Sequence, residues 1–334
     1  MAMLQQILIS DFILENGLKL SDFELSYEVF GQQIGTAPII LVNHALTGNS
    51  TVAGDNGWWT SLIGINKTIN TEVFTVLAFN IPGNGYDQEH RNLISNYKDY
   101  TTADIAQIFW TGLFQLHIDN LFAVIGGSLG GGIAWEMAKL EPSKIENLIP
   151  IGTDWKATDW LIANVLVQDN ILNNSTNPIE DARAHAMLIY RTPQSFKEKF
   201  RRNLVPNSDE FAIEKWLKNH GIKLRERFGL QSYKLMNHLL KTINFAKTDT
   251  EFVWIAKNIT ANIHIVSIDS DAFFIAKENQ LSFEYLSALK NNVWYHEMKS
   301  IHGHDAFLIE FEQLNKFLKP IFANVKKCVE PTYN

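Results

Sequence analysis

The first part of the chain alternates short apolar runs with a segment of helical periodicity. FELSYEVFG (residues 23–31) shows β-rich alternation, and APIILVNHA (37–45) and EVFTVLAFN (72–80) are short, mostly apolar runs. DIAQIFWTGLFQLHI (104–118) then repeats its apolar residues at helical spacing, before the run LFAVI (121–125). Buried strands that alternate with amphipathic helices predict an α/β protein, with a mostly parallel sheet flanked by helices on both faces.

This pattern changes from about residue 154 to residue 248, where helical segments rich in polar residues contain no strand-like run. Strand character returns at ANIHIVSIDSD (261–271) and NNVWYHEM (291–298), and FLIEFEQLNKFLKPIFANV (307–325) reads as a closing amphipathic helix. The predicted organisation is the first part of an α/β core, an inserted helical lid, and the second part of the core: residues 1–153, 154–248 and 249–334.

Composition and charge narrow the possible partners. The 334 residues are 46% hydrophobic, which is enough for a large core plus an insertion, and the net charge of −7 argues against binding nucleic acid or anionic membranes. The start of the chain lacks the basic head of a secretory signal, and no stretch approaches the roughly 18 apolar residues of a membrane span. The single cysteine, Cys328, excludes a disulfide framework. We expect a cytoplasmic protein that acts on small molecules.

Two possible binding sites have simpler explanations. The ten histidines are scattered without a metal-ligand spacing and a matching acid, so we predict no metal site. A short basic segment is able to grip phosphates, although such runs more often form a solvated helix face. That segment, FKEKFRR, contains Lys197, Lys199, Arg201 and Arg202.

The strongest local signal is Gly126-Gly127-Ser128-Leu129-Gly130, which lies between the apolar run LFAVI and the helix-forming segment IAWEMAKL. A nucleophilic serine on a tight strand-to-helix turn needs small neighbours, because chain segments approach it closely. The alternative is a glycine-rich turn of a nucleotide-binding unit. We favour the nucleophile, Ser128, because an acid and a histidine follow in the required order.

Serine needs a general base, and the base needs an orienting acid. The acid should follow a late strand, where Asp269 and Asp271 both stand, and the base should follow the last strand, where His302 and His304 both stand. Position alone weakly favours Asp271 and moderately favours His304. The other two residues would then be hydrogen-bonding loop residues.

The oxyanion formed after serine attack needs two preorganised N–H donors. The residue after the nucleophile, Leu129, supplies one. The second should come from a loop after an early strand, where NHALTG (residues 43–48) follows the run PIILV, and the Leu46 N–H is our candidate.

Several separate blocks of the chain resemble the homoserine O-acetyltransferases, a family of α/β-hydrolase-fold enzymes of methionine biosynthesis. NHALTG with GWW and SLIG resembles the oxyanion-loop block, and AVIGGSLGGG resembles the nucleophile block, with leucine in place of the usual methionine. Further matching segments are MLIYRTPQSFKEKF, KLRERFGLQSYKLMNHLL, IDSDAFF and GHDAFL. The resemblance runs over most of the chain.

The resemblance implies the α/β-hydrolase fold with a helical lid, and it selects Asp271, His304 and Leu46 for the roles left open above. It further implies that Asp305 binds the substrate amino group. The implied reaction is ping-pong: an acetyl group passes from acetyl-CoA to Ser128 and then to the hydroxyl of homoserine. The resemblance implies no bound cofactor. It does imply a homodimer that is built through the lid helices.

Three features depart from the family. The loop after NIPGNGYDQ lacks a longer glycine-, serine- and threonine-rich stretch, and the lid segment after DWKATDW is short. Asp169 stands where the family has an arginine that binds the substrate carboxylate, so we expect its charge to repel an amino-acid acceptor in the pocket. The lid cations able to replace that arginine are Arg183, Arg191 and Arg227.

Two other functions are compatible with parts of this sequence. An esterase or thioesterase would use the same three residues with water as acceptor, so the catalytic triad does not separate it from an acyltransferase. A non-catalytic paralogue that binds a ligand or a partner enzyme is disfavoured, because it has no physical reason to keep Ser128, Asp271 and His304 together.

Overall fold

A computed structural model describes residues 3–323, so Cys328 and the end of the predicted last helix lie outside the described residues. The strands are β1 (Gln5–Ile9), β2 (Phe23–Gly31), β3 (Ile39–Asn43), β4 (Ile63–Gly64), β5 (Ile69–Asn70), β6 (Thr75–Phe79), β7 (Leu121–Gly127), β8 (Ile145–Ile151), β9 (Asn262–Ile268) and β10 (Val293–Met298). The α-helices are α1 (Thr102–Gln115), α2 (Leu129–Leu140), α3 (Asp159–Asn174), α4 (Pro178–Tyr190), α5 (Pro193–Phe200), α6 (Ala212–Arg225), α7 (Leu230–Lys241), α8 (Asp249–Ala256), α9 (Ala276–Ser287) and α10 (Phe311–Ala323).

Eight of the strands form one sheet, in the order β1-β2-β6-β3-β7-β8-β9-β10. β2 is antiparallel to its neighbours β1 and β6, and the other neighbouring pairs are parallel. The mostly parallel sheet predicted from the sequence is therefore confirmed. Because parallel strands share one carboxyl edge, the segments that follow β3, β7, β9 and β10 come together there.

The sheet is buried on both faces, which explains why β3 and β6 read as continuous apolar runs. Leu41 belongs to one hydrophobic cluster, whereas its neighbours Ile40 and Val42 belong to a second cluster on the opposite face. The first cluster includes Phe109 of α1 and Trp135 of α2, and the second includes residues of α10.

Six helices, α3 to α8, are inserted between the neighbouring strands β8 and β9. The sequence predicts a helical insertion here, and its exact bounds as a separate unit stay a prediction. Among the helices of residues 3–323, none is both long and apolar enough to cross a bilayer. Within the same residues, no three His, Cys, Asp or Glu side chains are grouped in a way that would hold a metal ion.

Candidate active site

Ser128 occupies the turn between β7 and α2 with a strained backbone, since its φ is +55° and its ψ is −125°. A conformation of this kind costs about 1–3 kcal/mol in a residue other than glycine. Its neighbours must be small: a Cβ on Gly126 would lie 2.4 Å from the backbone of Gly130, and a Cβ on Gly130 would lie 2.3 Å from the Asn43 carbonyl oxygen. The glycines therefore allow the turn to pack tightly against the end of β3.

The carboxyl edge of the sheet brings Ser128, His304 and Asp271 into one hydrogen-bonded chain. The His304 Nε2 lies 2.9 Å from the Ser128 Oγ, and the His304 Nδ1 lies 2.7 Å from the Asp271 Oδ2. All three residues are buried. Because a carboxylate can only accept, Nδ1 carries the imidazole proton, and Nε2 is free to accept the serine proton.

The backbone beyond Asp271 fixes the direction of its carboxylate. The N–H groups of Phe273 and Phe274 donate to Oδ1 at 2.7 and 2.9 Å, which leaves Oδ2 for His304. The sequence gives no direct sign of these two donors, because the turn that aims them follows from the path of the chain after β9.

The competing acid and histidine make other contacts. The Asp269 Oδ1 accepts a hydrogen bond from the Ser300 N–H at 3.0 Å, and the His302 Nδ1 lies 2.9 Å from the Arg191 Nη2. Asp269 and His302 are thus hydrogen-bonding loop residues, as we expect for the acid and the histidine that are not part of the triad.

The two candidate oxyanion donors come from the start of α2 and from the loop that follows β3. Leu129 is the first residue of α2, where a helical N–H has no acceptor within the helix. Leu46 follows β3, and within residues 3–323 its N–H donates to no other group. The loop that carries Leu46 packs against the start of α2, since the His44 carbonyl oxygen lies 2.8 Å from a Cβ built on Gly130.

Aromatic rings enclose the His304 imidazole. Tyr190 and Phe273 lie 5.3 and 5.1 Å from it between ring centres, and Phe274 and Phe307 lie at 5.7 and 5.6 Å. Tyr190 comes from α4, so the helical insertion contributes directly to the surroundings of the histidine. No pattern in the sequence singles out Tyr190, although the residue lies in one of the resembling segments.

Tryptophans 58 and 59 support two parts of this site. The Trp58 Nε1–H donates to the Asn49 carbonyl at 2.9 Å, next to the loop that carries Leu46. The Trp59 Nε1–H donates to the Phe307 carbonyl at 3.4 Å, in the short 3₁₀ helix Gly303–Leu308 that carries His304. The GWW segment therefore connects the oxyanion loop to the histidine segment.

A carboxylate and two arginines lie beside the triad. The Asp305 Oδ2 is 3.8 Å from the Arg191 Nη1, and the two side chains are 18% and 10% exposed. Burial raises the pKa of Asp305, and the positive charge of Arg183 is the strongest opposing influence. The Arg183 guanidinium lies 5.9 Å from the centre of the Tyr190 ring. Arg227 makes a different contact, because its Nη1 donates to the Thr47 carbonyl at 2.8 Å.

Asp169 does not occupy the expected place in the pocket. Its carboxylate accepts a hydrogen bond from the Tyr97 hydroxyl at 3.4 Å, and the preceding residue, Gln168, lines the cavity next to Leu46. The expectation that Asp169 repels the acceptor inside the pocket is therefore wrong. The cavity beside Leu46 is lined by Gln168 and Asn164 of α3, Tyr190 of α4, Tyr233 of α7, and Phe273.

The sequence is similar to a known family and to individual members of it. The family model for the alpha/beta hydrolase fold matches residues 38–217. A homoserine O-acetyltransferase of Cyclobacterium marinum is 31% identical over 330 residues, and the match covers 92% of each chain. The homoserine O-acetyltransferase of Methanococcus vannielii is 30% identical, over 96% of this chain and 72% of its own.

Solved structures with the same fold include both transferases and hydrolases. A homoserine O-acetyltransferase from Bacillus anthracis aligns with a TM-score of 0.85 over 97% of this chain and 98% of its own, at 19% identity. An acetylester hydrolase from Corynebacterium glutamicum aligns with a TM-score of 0.80 over 96% of each chain, at 17% identity. At these identities the likeness shows a common fold and does not choose between the two reactions.

Proposed function

This chain belongs to the homoserine O-acetyltransferase family of the alpha/beta hydrolase fold, and on that premise we propose that it moves an acetyl group from acetyl-CoA to the hydroxyl of homoserine through acyl-Ser128. The observation that carries the acyl-serine step is the buried chain Ser128–His304–Asp271, with contacts of 2.9 and 2.7 Å, and the similarity to homoserine O-acetyltransferases supports the choice of substrates. It is an O-acyltransferase of this superfamily, and acetyl-CoA and homoserine are the proposed substrates.

In the first half-reaction, the His304 Nε2 takes the Ser128 proton while the Oγ attacks the thioester carbonyl. Negative charge develops on the carbonyl oxygen, where the Leu46 and Leu129 N–H groups donate to it. The intermediate then collapses, the carbon–sulfur bond breaks, and His304 returns the proton to the CoA sulfur. The acetyl group remains on Ser128 as an ester.

In the second half-reaction, the acceptor hydroxyl gives its proton to His304 and attacks the acetyl-serine carbonyl. The same two N–H groups stabilise the second oxyanion, and His304 protonates Ser128 as the product leaves. An α-amino acid acceptor also needs an anion for its ammonium group and a cation for its carboxylate. Asp305 is our candidate for the ammonium group, because it directly follows His304 in the chain.

Arg183 is our candidate for the acceptor carboxylate. Arg191 already contacts His302 and Asp305, and Arg227 holds the Thr47 carbonyl. Within residues 3–323 the Arg183 guanidinium forms no ion pair shorter than 4.0 Å. It stands beside Tyr190, which packs on His304, and a free guanidinium fork suits a carboxylate.

We expect homoserine to accelerate the release of CoA from acetyl-CoA by at least about tenfold, because an acceptor held beside the acyl-serine outcompetes water. Release is followed by trapping the free thiol, with and without homoserine. Arg183→Met should raise the KM for homoserine by about 10- to 100-fold, the size expected for one lost charge-assisted contact, and leave release without homoserine unchanged.

The matched control is Arg225→Met, since Arg225 is also a helical-insertion arginine but pairs with Glu180 at the surface. It should leave both rates unchanged. Release that does not respond to homoserine would contradict transfer and favour the second candidate, hydrolysis of the acyl-serine. One observation favours that candidate: two of the three insertion arginines that could bind an acceptor carboxylate, Arg191 and Arg227, already make other contacts.

A cytoplasmic location stays a prediction.

We also propose that two copies of the chain associate through the helical insertion. The outer face of α3 exposes Ile162, Leu166 and Val167, with Leu166 60% exposed. Apolar groups that cluster on one helix face lose contact with water when they pack against a partner. Light scattering should give twice the chain mass of 38.1 kDa, and Leu166→Asp should halve that value. A wild-type mass equal to one chain would contradict the dimer.

A further inference from the structure

We propose that His44 is a positioning residue for acyl transfer, which fixes the direction of the Leu46 N–H by holding the Ala45 carbonyl. The inference rests on the proposed function, because it takes Ser128 as nucleophile and Leu46 as one of the two oxyanion donors. His44 acts through the peptide group that follows it, and not by direct contact with the substrate or Ser128.

The hydrogen bonds of His44 define where its proton lies. The residue directly follows β3 and is fully buried. Its Nε2 lies 3.0 Å from the Ile81 backbone nitrogen, and its Nδ1 lies 2.8 Å from the Ala45 carbonyl oxygen. The Ile81 N–H can only donate, so Nε2 accepts and Nδ1 carries the proton. Burial lowers the pKa of His44 to about 4, and the ring is therefore neutral near pH 7.

The Ala45 carbonyl and the Leu46 N–H belong to the same peptide group. That group is planar and trans, so its C=O and N–H point in opposite directions, and fixing one fixes the other. The carbonyl oxygen accepts from the His44 Nδ1–H and also from the Gly48 N–H at 2.9 Å. The opposite end of the peptide is left without an acceptor within the described part of the chain.

A second loop holds the imidazole in place. The Asn84 Nδ2 lies 3.4 Å from the His44 Nε2 and also donates to the Asn80 Oδ1 at 3.0 Å. The Asn80 Oδ1 in turn accepts from the Ser50 N–H at 2.9 Å, beyond the other end of the Leu46 loop. The segment after β6 thus supports the Leu46 loop at both ends, through His44 at one end and Ser50 at the other.

A histidine with satisfied hydrogen bonds can be purely structural, and kinetics distinguishes the two roles. An oxyanion donor acts on charge that exists only in the transition state, so a misdirected Leu46 N–H should lower kcat and spare KM. Removing one oxyanion donor costs about 100- to 1,000-fold in kcat. Because the Gly48 bond remains, we expect a loss of about 10- to 100-fold when only the His44 bond is absent.

Two substitutions distinguish the hydrogen bonds of the two ring nitrogens, because each keeps one bond and removes the other. In His44→Asn the amide nitrogen falls near the position of Nδ1 and can still donate to the Ala45 carbonyl. In His44→Gln the amide falls near the position of Nε2, where its oxygen can accept from the Ile81 N–H, but the side chain no longer donates to the Ala45 carbonyl, which keeps only the bond from the Gly48 N–H. Steady-state turnover of p-nitrophenyl acetate, which passes through an oxyanion in both acylation and deacylation, measures kcat and KM, and thermal unfolding measures stability.

We expect His44→Gln to lose about 10- to 100-fold in kcat at an unchanged KM. We expect His44→Asn to retain most of the wild-type kcat whatever its stability. Equal losses in both variants, or an effect on KM alone, would overturn it. Nitrogen NMR of the wild-type protein adds a test that needs no variant: a His44 proton on Nε2 would also overturn the proposal. Full turnover by Ser128→Ala would instead overturn the proposed function.

Discussion

Ser128→Ala is expected to abolish formation of the acyl-enzyme and to lower kcat by about a millionfold, the loss seen when a triad serine is removed. The hydroxyl lies 2.9 Å from the His304 Nε2, and the strained turn presents it at the carboxyl edge of the sheet. Mass spectrometry after mixing with an activated acetyl ester measures this directly, because one acetyl group should appear on the wild-type protein and none on the variant.

Ser287→Ala is the matched control, since Ser287 is an exposed serine on α9 and should keep both the label and the rate. Digestion should locate the wild-type label on the peptide that contains Ser128. An acetyl group that persists in Ser128→Ala would assign the nucleophile to another residue and contradict the proposed function.

Asp271→Asn is expected to lower kcat by about 10,000-fold. Two backbone N–H groups donate to Oδ1, so the asparagine oxygen must take that position and its NH₂ must face the His304 Nδ1. Nδ1 then has to accept, and the imidazole proton moves to Nε2. A protonated Nε2 cannot take the proton of Ser128, so the histidine is present and well placed but no longer acts as a base.

The control for this change is Asp269→Asn, two residues earlier in the same turn. Asp269 accepts from the Ser300 N–H, and an asparagine oxygen can do the same, so kcat should change by less than about threefold. The two rates are compared under conditions where thermal unfolding shows both variants folded. Equal activity in the two variants would contradict the role of Asp271 as the orienting acid.

The sequence predicts those parts of the site that depend on local patterns. Apolar runs separated by helical segments predict the parallel sheet, and glycines around Ser128 predict the tight turn. The serine, the acid and the histidine occur along the chain in the order that this fold requires, which predicts the triad. The choice between Asp269 and Asp271 depends on the path after β9: the Asp269 N–H still pairs with the Met298 carbonyl, whereas Asp271 lies beyond this pairing and turns towards His304.

Asp169 shows where a sequence match misleads. The buried positions of α3 include Leu161, Val165, Gln168 and Leu172, which follow helical spacing along one face. Asp169 lies one residue off that face, so its carboxylate points towards Tyr97. The periodicity of the helix was available in the sequence. The contact of His44 with Ile81 was not, because two residues 37 positions apart meet only once the sheet has formed.

The helical insertion leaves the sheet and returns to it on neighbouring strands. β8 and β9 pair directly, with Asn147 opposite Asn262 and Ile151 opposite Val266. The cost of closing a loop grows only slowly with its length, so residues can be gained or lost between these strands without moving the sheet. If Arg183 of the insertion binds the acceptor carboxylate, as proposed, evolution can alter that part of acceptor binding by changing the insertion, while Ser128, His304 and Asp271 stay in place on the sheet.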